Sequence, residues 1–170
     1  MKLFTLAATA IAVVMTAGIA SAMDVDKTGW PASFTVGTGS QGGLYFTYGS
    51  GFGKLISDDL GVPGAGEVTG GPMQNMALVH AGEAAFGMTT MGPADESLKG
   101  NNAIAPGLKM DKACAMFPMY LTPFGITTLS SKGINSVSEI PAGAKIGFGP
   151  AGSTSDTYFP AMLEALGRKI

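Results

Sequence analysis

The 170-residue sequence has one cysteine, one histidine and one tryptophan, and only 13% of it is charged. One cysteine cannot close a disulfide within the chain, and one histidine with one cysteine cannot build an ordinary zinc site. Basic residues number 10 against 12 acidic ones. A net charge of −2 leaves no basic surface to displace the counterions of a phosphate backbone, so nucleic acid is not an expected partner. Charge this sparse, beside 46% hydrophobic residues, excludes a disordered chain. What is abundant is glycine, at 26 positions.

Residues 1–22 read as a secretory signal peptide. Lys2 is the only charge, Leu3 to Ala20 carry none, and Ala20-Ser21-Ala22 has the small-x-small form of a cleavage site. Export to the periplasm follows as the expected location, which weighs against any function fed by ATP or a pyridine nucleotide.

Beyond the signal, short apolar runs alternate with helix-period segments. Ser33–Val36 is a β-prone run. From Leu44, the positions Tyr48, Phe52, Leu55, Ile56 and Leu60 recur at three and four, which is helical spacing. Gly49, Gly51 and Gly53 each cost that helix roughly 1 kcal/mol relative to alanine, so close packing on a sheet must hold it. Gly61–Gly66 reads as a loop and Glu67–Thr69 as a short strand. A helix then starts with Pro72 at its first position and ends at Gly82. Ala84–Thr89, Lys112–Tyr120, Phe124–Leu129 and Lys145–Phe148 are further strand candidates, with a polar helix over Pro93–Lys99 and another over Thr154–Leu166. Ser136 and Glu139 fit a capping box. This alternation predicts an α/β layer fold with a largely parallel sheet. The sequence stops directly after a helix, and a parallel sheet needs a strand after its crossover helix, so a C-terminally truncated chain is expected.

Three glycine loops precede helices: Gly37–Gly43, Thr69–Gly71 and Gly149–Ser153, with hydroxyls from Ser40, Thr69, Ser153 and Thr154 nearby. Backbone N–H groups at a helix start are unpaired and the helix dipole draws anions there, while glycine permits close approach. Gly37, Gly39 and Gly42 satisfy G-x-G-x-x-G, but Val62 stands where a dinucleotide site needs an acidic residue, and no Gly-Lys-Ser/Thr follows for a Walker loop. No cofactor is called for. Each loop alone is also compatible with an ordinary strand-to-helix turn.

Their order resembles a known family. Gly37-Thr38-Gly39-Ser40-Gln41-Gly42-Gly43-Leu44-Tyr45-Phe46 is very similar to the opening of the TAXI solute-binding proteins, which serve TRAP (tripartite ATP-independent periplasmic) transporters. Thr69-Gly70-Gly71-Pro72-Met73-Gln74-Asn75 looks like that family's Thr-Gly-Gly-Ser-x-x-Asn element, with Pro72 in place of serine. Ala81–Phe86, Ser131–Val137 and Ile146–Ser153 resemble its later junctions, so the likeness spans about residues 33–167.

The resemblance implies a type II periplasmic-binding-protein-like fold of two α/β lobes closing on a small organic anion or amino acid, with TRAP membrane permease subunits as partners. The first lobe would span 23–120, the crossing 121–128, and a partial second lobe 129–170. The implied ligand-binding residues are Gly39, Ser40, Gln41, Gly42, Gly43, Tyr45, Thr69, Gly70, Gly71, Asn75, Gly152, Ser153 and Thr154. Tyr45 fits a ligand wall or a core position equally, and Asn75 fits crevice contact or helix packing. His80 reads as a partly exposed helix residue, Cys114 as a buried thiol, and most methionines as core.

Two other readings use the same residues. A secreted α/β hydrolase would take Ser153 as nucleophile and His80 as base, although Ser153 lies in no Gly-x-Ser-x-Gly elbow. A truncated chain lacking its second wall would bind nothing.

Overall fold

The computed structural model describes residues 25–168, and the expected signal segment lies outside them. The elements run β1 (Phe34–Gly37), α1 (Leu44–Leu60), β2 (Gly64–Glu67), α2 (Pro72–Ala81), β3 (Phe86–Gly87), α3 (Met91–Lys99) and α4 (Thr154–Ala165), with single 3-10 turns at Ser130–Lys132 and Val137–Glu139. The three strands form a parallel sheet in the order β2-β1-β3. The mixed α/β architecture with a parallel sheet is the expected one.

β1 is central. Phe34 and Val36 point into the core with Val62 and Met88, and Tyr45, Tyr48, Phe52, Ile56, Phe86, Met119 and Tyr120 pack around them. The rings of Phe34 and Phe52 each meet Phe86 edge-on, at 5.6 and 5.4 Å. Two of the three α1 glycines face the sheet, while Gly51 faces open space. A Cβ on Gly49 would lie 2.5 Å from Thr38 Cγ2, and one on Gly53 would lie 3.5 Å from the Ala65 backbone. The helix therefore sits directly on β1 and β2, closest at Gly49, where a larger residue would clash, while a methyl at Gly53 would make ordinary contact. Gly61 and Gly82 end α1 and α2 in the left-handed conformation.

The second strand falls at Gly64–Glu67, within the stretch expected to be loop, and not at Glu67–Thr69. Its glycines suit the site: a Cβ on Gly64 would come 2.0 Å from Phe34 Cζ, so the bare backbone of β2 is what lets the Phe34 ring lie over it. Pairing with β1 overrides the weak strand propensity of glycine.

The strands expected at Lys112–Tyr120, Phe124–Leu129 and Lys145–Phe148 do not form among the described residues. Pro118 removes a ladder donor from the first, Pro123 stands directly before the second, and residues 121–129 are exposed throughout. Phe117 and Tyr120 still anchor this stretch, against Phe52 at 5.6 Å and Tyr48 at 5.4 Å. Cys114, expected to be buried, is exposed on it. Met73, Met76, Met88 and Met110 are buried as core, whereas Met91 and Met116 are 83% and 67% exposed.

The expected capping box at Ser136 is displaced by one residue. Glu139 Oε2 accepts from the Asn135 N–H at 2.7 Å, while Ser136 pairs with Ser138 through their hydroxyls. Arg168 closes this part of the chain, its guanidinium donating to the carbonyls of Val137, Ser138 and Ile140. Beside it, Ile140, Ile146, Phe148, Phe159 and Leu163 line an apolar hollow of about 280 Å³.

Candidate functional site

The strand order reverses at β1: the chain passes to β2 on one side, then returns to β3 on the other. Open α/β sheets bind ligands beyond the carboxyl ends of strands at such a reversal. The segments there are Thr38–Gly43 after β1 and Met88–Thr90 after β3.

Asn75 holds those two strand ends together. It is fully buried, its Nδ2 donates to the carbonyls of Thr38 and Met88 at 2.7 Å each, and its Oδ1 accepts from Thr69 Oγ1 at 2.7 Å. Its amide is thus engaged inside the protein, and Asn75 positions the loops. Thr38 adds a second tie, its backbone N–H and hydroxyl both donating to the Glu67 carbonyl at 3.0 and 2.6 Å.

The three helix starts differ in what they leave free. At α2, the Gly70 N–H donates to Gln74 Oε1 at 2.6 Å and the Gly71 N–H to Thr69 Oγ1 at 3.1 Å. Pro72 has no N–H, and the Met73 N–H donates to the Gly152 carbonyl at 3.4 Å. This start is closed by its own residues and by α4. At α4, Ser153 is the cap: its Oγ accepts from the Asp156 N–H at 3.2 Å and donates to the Phe148 carbonyl at 3.3 Å, while Asp156 Oδ2 accepts from the Gly152 N–H at 2.8 Å. The α1 start has no side-chain cap and no acidic residue in its first turn. Leu44, Tyr45 and Phe46 thus carry the orphan N–H groups of a helix beginning, next to the exposed loop Ser40–Gly43. Gly42 holds φ = +79°, a left-handed conformation that glycine adopts without strain.

The α3 and α4 starts meet directly. Thr90 Oγ1 and Thr154 Oγ1 lie 2.9 Å apart, and the Gly92 N–H donates to the Tyr158 hydroxyl at 2.8 Å. Tyr45, in the first turn of α1, brings its hydroxyl beside this pair: burial pushes it above the usual tyrosine range, and the neighbouring hydroxyls of Thr90 and Thr154 partly offset that. Yet Tyr45 Oη makes no hydrogen bond, nor does Tyr120 Oη, and both atoms are buried. The Tyr120 hydroxyl is pushed up to about 12, by burial first and then by Tyr45 and Tyr48. The Tyr45 and Tyr120 ring centroids are 6.4 Å apart.

The sequence-based set therefore gathers in one region, with different roles. Gly39 through Gly43 and Tyr45 lie at the uncapped start of α1. Thr69, Gly70, Gly71 and Asn75 form an internally bonded buttress. Gly152, Ser153 and Thr154 lie at the start of α4, where Thr154 presents its hydroxyl to Thr90. Sequence reasoning missed Thr90 and Tyr120. Thr90 stands at the loop after β3, a place that only the strand order singles out, and Tyr120 was hidden in an apolar run.

A family model decides the kinship: that of the NMT1-like family matches residues 36–170. The chain belongs to the NMT1-like family. This is a family of periplasmic solute-binding proteins, and its function at that level is the capture of a small molecule. No curated protein matches the chain. In keeping with a family of binding proteins, the serine and histidine of the hydrolase reading stand apart. Ser153 abuts Gly71 at the beginning of α2, whereas His80 lies near its end beside Lys112 and Asp111. Nine residues separate Gly71 from His80, a span of roughly 13 Å along the helix. Among the described residues there is no cluster of three metal-ligating side chains, and no helix is long and apolar enough to cross a membrane.

Proposed function

We propose that this NMT1-like protein is a TAXI-type periplasmic binding protein, capturing a small carboxylate or amino acid for TRAP-type permease subunits. The ligand's carboxylate is received by the backbone N–H groups of Ser40 to Gly42 and the open start of α1, the Gly43 N–H being held by the Ser40 carbonyl at 3.1 Å. Tyr45, Thr90 and Thr154 close the far side, and Thr69–Gly71 with Asn75 hold the loops in register. The two walls belong to two lobes, 23–120 and 129–170, joined through 121–128. The signal segment 1–22 directs export.

The observation that carries this reading is the meeting of Tyr45, Thr90 and Thr154, hydroxyl-bearing residues from the starts of three helices. Hydroxyls and backbone donors can hold a carboxylate without a basic side chain. TRAP membership rests on the ordered glycine motifs, most of all Gly37–Phe46.

Calorimetry of the exported protein against small mono- and dicarboxylates and amino acids tests the ligand class. At least one acid should bind in the micromolar range, and Gly42→Val should abolish that binding while export persists. Unchanged affinity in Gly42→Val would remove the first loop from the site.

A further inference from the structure

Two buried hydroxyls without partners are the feature that the glycine loops do not explain. Tyr45 Oη and Tyr120 Oη are the buried side-chain polar atoms without a hydrogen bond among the described residues. A buried donor left unmade is costly, by about 1–3 kcal/mol, and native proteins seldom leave one without a water or ligand to fill it. The two rings meet edge-on, at 66° between their planes. Tyr120 arrives from the segment after Pro118, Tyr45 from the first turn of α1, so two remote parts of the chain bring their phenol rings together, centroids 6.4 Å apart.

We propose that Tyr120 is a ligand-binding residue, whose hydroxyl forms with that of Tyr45 a subsite for an uncharged hydrogen-bond acceptor on the bound solute. This rests on the carboxylate reading above and specifies the ligand further: an acid bearing a hydroxyl or carbonyl near its carboxylate. Both phenols stay protonated, so they donate and do not repel electron-rich oxygen. No lysine or arginine contacts Tyr45 or Tyr120 through a hydrogen bond or ion pair among the described residues, so the subsite offers hydrogen bonds without charge. The surrounding Tyr48 ring, 5.4 Å from that of Tyr120, adds an apolar wall that strengthens a hydrogen bond made inside it.

The test uses the exported protein and matched acids differing in one neutral group: propionate with lactate, and butanoate with 2-oxobutanoate. Wild type should bind the hydroxy or oxo member at least about tenfold more tightly, as one well-made buried hydrogen bond provides. Tyr120→Phe should lower that affinity to the level of the parent acid and leave the parent acid unchanged. The ligand-free melting temperature of Tyr120→Phe should equal or exceed that of wild type, since no internal bond is lost. Parent acids that bind with no preference for the substituted member, or equal binding of lactate by wild type and Tyr120→Phe, would overturn the subsite and leave the carboxylate reading standing. A melting temperature lowered by several degrees would also overturn it, by revealing an internal partner for the hydroxyl. Failure of every acid to bind wild type would overturn the carboxylate reading and the subsite with it.

Discussion

Thr90 and Thr154 share a hydrogen bond, their side-chain oxygens 2.9 Å apart across 64 positions of sequence. One caps α3 and the other opens α4, so this bond ties the part of the chain that carries the sheet to the part that follows residue 129. Replacing either threonine by valine keeps the shape and removes the bond. Each single change should cost about 1 kcal/mol in urea unfolding, and the double variant should cost less than the sum, because the partner's loss is already counted. Additive effects would mean that the two hydroxyls do not bond in solution.

Asn75→Ala should be among the most damaging single changes. It strips hydrogen bonds from the Thr38 and Met88 carbonyls and the Thr69 hydroxyl, all in a fully buried setting. A loss of about 2–4 kcal/mol is expected from urea denaturation. A loss below 1 kcal/mol would show that these loops hold their register without the amide.

Gly64→Ala and Gly51→Ala should act in opposite directions. The new methyl at Gly64 would meet the Phe34 ring, whereas nothing lies within 4 Å of a Cβ at Gly51 on the exposed side of α1. Overpacking at the first should cost about 1–3 kcal/mol, and relief of helix entropy at the second should stabilise by about 0.5–1 kcal/mol. Melting temperatures moving in the same direction would contradict the close seating of Phe34 on β2.

Much of this was readable from sequence, and the exceptions have causes. Helices α1 and α2 declared themselves through three-and-four spacing and through Pro72, Gly61 and Gly82 at their ends. Strand β2 did not, because its Gly-Ala-Gly-Glu composition has no strand signal and is explained only by the Phe34 ring above it. The run around Tyr120 carried a strand's composition, yet Pro118 withholds a donor that a ladder needs. The glycine loops were visible as motifs, but the closure of the α2 start was not, since it depends on Gln74 folding back to Gly70 and on Gly152 arriving from far along the chain. Pro72 gave a partial warning.

Alkaline titration should separate Tyr120 from the other tyrosines. Its folded value of about 12 lies above the ordinary 10, so the folded state holds its proton more tightly than the unfolded state. The stability it contributes is complete below pH 10 and is lost as pH rises through about 12. Absorbance at the phenolate band should show a late-ionising tyrosine that is missing in Tyr120→Phe. Ionisation of every tyrosine near pH 10, with the fold intact, would refute the burial of this hydroxyl.

The carboxylate of Asp156 sets the beginning of α4 apart from that of α1. By accepting from the Gly152 N–H at 2.8 Å it fills the beginning of α4 with an anion belonging to the protein, while the beginning of α1 has none. The two helix beginnings are therefore electrically unlike, one open to negative charge and the other already supplied with it. In the binding mode proposed above, a solute with a charged end and a neutral end would lie one way round and be repelled when reversed. Positional isomers with the same groups in a different order would thus be told apart by the side on which their charge falls.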